Sequence, residues 1–153
     1  MSFCLKLYQY VHKETFLMKI VLLADNRKTE LLVNFCIAYR SLLEKHQLIS
    51  VYNTAKLIKS AVDLDVSGLS VDYESGSEQL ASRAGFNEID AVIYLRDGRV
   101  SQLDRAKDLL DVCDVNNIPY STNIAMAEIL ILAIDRGDLD YREWAREDKA
   151  EEA

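Results

Sequence analysis

Between Ile89 and Asp97 the sequence reads Ile-Asp-Ala-Val-Ile-Tyr-Leu-Arg-Asp, and its middle, Ala91 to Leu95, is apolar without interruption. Five residues are too few for a buried helix, and charges bound the run on both sides, so it predicts a short strand buried on both faces. Strands of this kind belong to parallel sheets, whose helical crossovers cover both sides. Open parallel sheets bind ligands beyond the carboxyl ends of their strands, which places Arg96, Asp97 and Arg99 where a ligand is expected.

Strand and helix signals alternate along the rest of the chain. Lys19 to Ala24 reads as a plain strand. After it Leu31, Leu32, Phe35, Tyr39, Leu42 and Leu43 recur at helical spacing, which predicts one long amphipathic helix with Asn26 capping its first turn. Gln47 to Val51 predicts a second strand, and Asn53 and Thr54 a cap for the helix carrying Leu57, Ile58, Ala61 and Val62. A third strand is placed at Gly68 to Val71, followed by a loop with Gly76 as its flexible point and a helix through Ala84. After the fourth strand, Leu103, Ala106, Leu109, Leu110 and Cys113 mark a helix that Asn116 and Asn117 end. The fifth strand is Ile118 to Thr122, with the only proline near its start, where a strand tolerates one. Asn123 caps a helix from Ile124 to Ile134 that is apolar on nearly every face, as expected for burial between the sheet and a neighbouring helix or subunit.

Five strand-helix units predict an α/β three-layer sandwich around a five-stranded, mostly parallel sheet, because each crossover is right-handed and helices must cover both faces. The organisation expected is an N-terminal extension over residues 1–17 (an arm, an upstream start or added sequence), one domain over 18–134, and a charged C-terminal helix or tail over 135–153. Tyr141 and Trp144 are expected to pin that tail. At 153 residues, half of them apolar, the chain is long enough for one domain with a core.

A net charge of -7 argues against the basic surface that non-specific nucleic-acid binding needs. The three cysteines, Cys4, Cys36 and Cys113, are widely spaced and read as reduced, packed thiols. No apolar run is long enough to span a membrane, and the N-terminus lacks a signal-peptide core, so a cytoplasmic location is the default expectation.

On a parallel sheet the carboxyl rim gathers Asp25, Asn26 and Lys28 from the first loop and Tyr52, Asn53 and Thr54 from the second. The third loop adds Asp72, Ser75, Gly76, Ser77 and Glu78. The last two add Arg96, Asp97, Arg99, Ser121, Thr122 and Asn123. Hydroxyls, amides and helix N-termini in one rim suit a phosphate. Each has a structural alternative: helix capping for Asn26, Thr54, Ser75 and Asn123, a turn before Gly98 for Asp97, and a solvated first-turn charge for Lys28 and Arg99. No dinucleotide or Walker-type glycine motif is present and no His/Cys spacing suits a metal, so neither cofactor nor metal is expected. His12 and His46 fall away from the rim.

Three strings, Lys19-Ile-Val-Leu-Leu-Ala-Asp25, Ile89 to Asp97, and Asn117-Ile-Pro-Tyr-Ser-Thr-Asn-Ile-Ala-Met-Ala-Glu128, together with the order of elements over 18–134, resemble the methylglyoxal synthase family. The resemblance implies the fold of that family and its reaction, in which a carboxylate takes a proton next to the carbonyl of dihydroxyacetone phosphate and the enediol loses phosphate. It also implies a homo-oligomer, a hexamer in that family. The same fold serves as a regulatory domain elsewhere, so fold does not fix activity.

Carried over residue by residue, the resemblance puts the family's Trp-Asp-Pro acid on Asp97, flanked here by Arg96 and Gly98. Its Gly-Gly-Asp base falls on Gly76-Ser77, with Glu78 one place later. The His-Asp pair after the first strand becomes Asp25-Asn26, with Lys28 nearest to the lysine that follows. The Thr-Gly-Thr-Thr-Gly phosphate loop reads Val51-Tyr-Asn-Thr-Ala55, keeping Thr54 and losing both glycines that let a phosphate approach the backbone. The Pro-His-x-Pro-Asp stretch becomes Ser-Gln-Leu-Asp-Arg, leaving Gln102, Asp104 and Arg105 near its position.

Two expectations follow. One is a carbon-oxygen lyase with Asp97 and Glu78 as acid-base carboxylates and Lys28, Asn53, Thr54, Gly76 and Ser77 near the phosphate. The other is a member that keeps the fold without the reaction and binds a phosphorylated metabolite or another small anion as a regulatory domain.

Overall fold

A computed structural model of the chain describes residues 16–69, 73–99, 106–143 and 145–146. Its strands are β1 (Lys19–Ala24), β2 (Gln47–Val51), β3 (Val66–Leu69), β4 (Ala91–Leu95) and β5 (Tyr120–Ser121). The helices are α1 (Thr29–Ala38), α2 (Arg40–Leu43), α3 (Tyr52–Val62), α4 (Tyr73–Gly85), α5 (Lys107–Val115) and α6 (Ile124–Asp135). All four strand pairings are parallel, in the order β3-β2-β1-β4-β5. This is the α/β sandwich that the alternation predicts.

Alternate side chains of the central strands enter two separate cores. Ile20 and Leu22 of β1 and Ala91, Ile93 and Leu95 of β4 pack under α1, α3 and α6, against Leu32, Phe35, Ile58, Leu130 and Ile131. Val21 and Leu23, with Val92 and Tyr94, pack under α4 and α5, against Leu80, Ala84, Leu109 and Cys113. β4 is buried at every position because helices cover both its faces.

The long first helix breaks into α1 and α2 at Tyr39 (φ -108, ψ 21). The Tyr39 ring packs on Phe35, with ring centroids 5.0 Å apart. Arg40 turns away to give hydrogen bonds from Nε to the Val62 carbonyl (3.1 Å) and from Nη2 to the Asp63 carbonyl (3.0 Å), which closes the end of α3. Helical spacing persists through the break, so periodicity does not reveal it. β3 begins two residues earlier than expected because Val66 pairs with Leu48 of β2, and residues 70 and 71 of the expected strand lie outside the described residues. α4 begins at Tyr73, so Ser75, Gly76, Ser77 and Glu78 lie in a helix where a loop with Gly76 as its flexible point is expected, and Ser75 is not a cap. β5 is shorter than expected. Pro119 still accepts the Val92 N–H through its carbonyl, but paired strand is confined to Tyr120–Ser121.

Among the described residues, the C-terminal segment is anchored by arginines. Arg142 is buried and Tyr141 is exposed, while Trp144 lies outside the described residues. Only 16 and 17 of the proposed N-terminal extension are described, and Phe16 packs against the first core.

His46 is buried before β2, and its Nδ1 accepts the Met18 backbone N–H at 3.0 Å. Burial lowers its pKa against the opposing pull of Asp135. A folded-state pKa below the unfolded one gives stability that is present above the ordinary value of about 6.5 and lost as pH falls through the lowered one. Comparing wild type with His46→Gln in denaturant melts from pH 8 to pH 5, the wild-type advantage is expected to shrink on acidification. A constant difference would exclude the linkage.

Candidate active site at the carboxyl edge of the sheet

From β1 the chain moves to β2 and β3 on one side, then crosses to the other side for β4 and β5. The connections diverge between β1 and β4, and beyond those carboxyl ends an open α/β sheet takes its ligand. Asp25 follows β1 there, and Asp97 follows β4.

The Asp25 N–H donates to the Leu95 carbonyl at 3.0 Å, extending the β1–β4 ladder past its last pair. Its carboxylate then joins the two strand ends. Oδ1 accepts the Tyr94 hydroxyl at 2.5 Å and Oδ2 accepts the Asp97 backbone N–H at 2.8 Å. Asp97 Oδ1 accepts the Arg99 N–H at 3.1 Å, closing the turn over Gly98. Asp97 Oδ2 is buried and, among the described residues, has no hydrogen-bond partner. Arg27 Nε lies 3.9 Å away; Asp97 is 4% exposed and the Arg27 side chain 74%. Asp97 is therefore the turn acid, and its second carboxylate oxygen is buried without a hydrogen bond among the described residues, an arrangement that costs free energy.

The other rim residues divide by what their local structure already asks of them. Asn123 is a helix cap, its Oδ1 accepting the Met126 N–H at 3.0 Å. Asn26 is not a cap; it opens a 3-10 turn over Asn26–Lys28, and α1 begins only at Thr29. Asn53 and Thr54 are not caps either, because α3 starts at Tyr52 directly after β2 and Val51 precedes it with no side-chain cap. The first turn of α3 thus presents N–H groups at the rim without a capping side chain.

A Cβ built on Gly76 would stand 2.8 Å from Val51 Cγ1, so the start of α4 lies tight against the carboxyl end of β2. This packing sets Gly76 and the buried Ser77 beside the strand end that leads into Asn53 and Thr54. Gly76→Ala is expected to cost about 1–3 kcal/mol in a urea melt, because a β-branched neighbour cannot swing aside. A change within a few tenths would show that α4 can shift freely. Glu78 is exposed on α4, Lys28 is half-buried, and Arg96 and Arg99 are exposed. Gln102 and the neighbouring Asp104 and Arg105 lie outside the described residues.

Sequence reading passed over two residues of this cluster. Arg27 stood beside Lys28 in the first loop. Tyr94 reads in the sequence as one more residue of an apolar strand, although a buried tyrosine hydroxyl requires a partner and so signals a polar group nearby. Cys36 and Cys113 play no part at the rim. Both are buried, and burial pushes their thiols up to about 12 and about 11, far from the thiolate form. Among the described residues no helix is long and apolar enough to cross a membrane.

No family model matches the chain. It is 45% identical over 128 residues to the methylglyoxal synthase of Caldicellulosiruptor saccharolyticus, covering 82% of this chain and 91% of that protein. The chain belongs to the methylglyoxal synthase family. The methylglyoxal synthase of Alkaliphilus metalliredigens is 39% identical over 132 residues, covering 85% of this chain and 98% of the relative. Among solved structures, the methylglyoxal synthase from Elizabethkingia anophelis NUHP1 superposes with a TM-score of 0.72 at 27% identity, over 78% of this chain and 81% of that one.

Proposed function

We propose that this family member converts dihydroxyacetone phosphate to methylglyoxal and inorganic phosphate at the rim between β1 and β4. The observation that carries the reading is the buried Asp97 oxygen that, among the described residues, has no hydrogen-bond partner at the topological switch. In the reaction a carboxylate takes a proton from the carbon beside the carbonyl, and the electron pair forms the enediolate. Its collapse breaks the bond between carbon and the phosphate oxygen, the pair leaves on phosphate, and the remaining enol ketonises to methylglyoxal. Asp97 and Glu78 are the carboxylates for the proton steps. Lys28, Thr54, Ser77, Gly76 and Asn53, with the first-turn N–H groups of α3, receive the phosphate. Arg27 adds positive charge beside Asp97.

A second reading, binding of a phosphorylated metabolite or small anion without turnover, is favoured by Tyr52 and Ala55. They put side chains on α3 where the resemblance has glycines, and Ala55 is buried. The purified chain distinguishes the two readings. Release of inorganic phosphate from dihydroxyacetone phosphate supports the lyase. A rise in melting temperature with added phosphate, without release, supports the binding domain. Neither response would remove the phosphate site from consideration.

The family resemblance also supports a homo-oligomer in the cytoplasm. The outer face of α6, with Met126, Ile129 and Leu132 exposed, is apolar enough to be covered by another subunit.

A further inference from the structure

We propose that Tyr94 and Asp25 are positioning residues, which together hold the Asp97 loop in its working geometry; the inference rests on the reading of Asp97 given above. Tyr94 is buried in β4, three residues before Asp97, and its side chain enters the core under α4 and α5. Its hydroxyl reaches the rim from within the sheet and donates to Asp25 Oδ1 at 2.5 Å. With one oxygen held there, the Asp25 carboxylate is oriented to accept the Asp97 N–H through the other, at 2.8 Å. The Asp25 main chain is itself tied to Leu95. Three contacts therefore link the end of β1 to the end of β4.

Both oxygens of Asp25 are thus engaged by protein donors, whereas Asp97 keeps one oxygen without a partner among the described residues. This asymmetry separates their roles: Asp25 shapes the site, and Asp97 meets the ligand. Displacing a reacting group by about 1 Å is enough to cost about a hundredfold in rate, so a bridge at the base of a three-residue turn has leverage over the chemistry.

The test compares Tyr94→Phe, Asp25→Ala and Asp25→Asn with wild type in phosphate release and in hydrogen exchange of the Asp97 amide. An asparagine can rotate so that its oxygen still accepts the Asp97 N–H while its amino group donates to the Tyr94 hydroxyl oxygen. It therefore preserves the bridge without the charge. Asp25→Ala is expected to lower kcat about a hundredfold with KM within about twofold. The same variant should speed exchange of the Asp97 amide at least tenfold. Tyr94→Phe is expected to act in the same direction, about tenfold in kcat, and Asp25→Asn to restore most of both losses.

An Asp25→Asn variant as impaired in kcat as Asp25→Ala, with the amide still protected, would overturn the proposal by making the Asp25 charge part of the chemistry. Unchanged exchange of the Asp97 amide in Asp25→Ala would overturn it directly. A wild-type chain that releases no phosphate brings down the lyase reading instead, and the exchange measurement then decides the bridge by itself.

Discussion

Replacing Arg142 by leucine is expected to destabilise the fold by about 3–5 kcal/mol, the range found when one partner of a buried ion pair is removed. Asp90 lies just before β4 and is 0% exposed, and Arg142 is 5% exposed. The aspartate accepts the Lys19 backbone N–H through Oδ2 at 2.8 Å and Arg142 Nε through Oδ1 at 3.2 Å. Arg146 also donates to Oδ1. The remaining guanidinium donors of Arg142 reach the Asn117 carbonyl (3.0 Å), Asn87 Oδ1 (2.6 Å) and the Ile89 carbonyl (3.2 Å). One planar fork thereby joins the C-terminal segment to the chain entering β4 and to the turn before β5.

Asn87 and Asn117 both adopt positive φ (56° and 54°), so these turns hold a backbone conformation that most residues avoid. The arginine helps to fix them. Leucine would remove every donor, strip the buried Ile89 carbonyl of its arginine partner and leave the buried Asp90 with Arg146 alone of its two arginines. Arg142→Lys is expected to recover only a small part of the loss, since an ammonium cannot reproduce the fork. Urea melts of both variants measure this. A cost below about 1 kcal/mol for Arg142→Leu would mean that Arg146 alone neutralises Asp90.

The second large effect is functional. Asp97→Asn is expected to lower phosphate release by at least about a hundredfold, the lower end of what general acid-base groups contribute. The melting temperature should change little, because the asparagine oxygen can still accept the Arg99 N–H and the Asp97 main-chain donor to Asp25 is untouched. The combination matters. Loss of turnover with a stable fold assigns the carboxylate to the reaction, whereas loss of both would mean the turn itself had collapsed. Release at the wild-type rate would remove Asp97 from the mechanism and leave Glu78 as the carboxylate to be tested.

How much of this was legible beforehand differs between fold and site. The sheet could be read because its central strands are buried on both faces, which writes an apolar run into the chain at Lys19 to Ala24 and again at Ala91 to Leu95. The helix pattern survived for the same reason, with two exceptions: α4 begins at Tyr73, so Gly76 lies inside a helix where a loop is expected, and the first helix breaks at Tyr39. There the decisive interaction is made by Arg40 with the end of a different helix, and no local period encodes it. The caps were read less well. Asn123 fulfils its role because the helix after it starts where its apolar run starts, while Asn53 and Thr54 were displaced into α3 because β2 passes into the helix without a loop.

The sequence by itself determined the layered fold, the edge at which a ligand would bind and Asp97 as a residue on that edge. These follow from side-chain periodicity and from the rule that parallel strands need helical crossovers, both of which are local or topological. Only the tertiary structure decided that Asp25 and Tyr94 bridge to the Asp97 main chain, that Arg27 is the cation beside it, and that arginines lock the C-terminal segment onto Asp90. Those contacts join residues from 52 to 72 positions apart. Their partners are selected by strand order and register, which bring distant carboxylates and donors together without leaving a repeating signal in the chain.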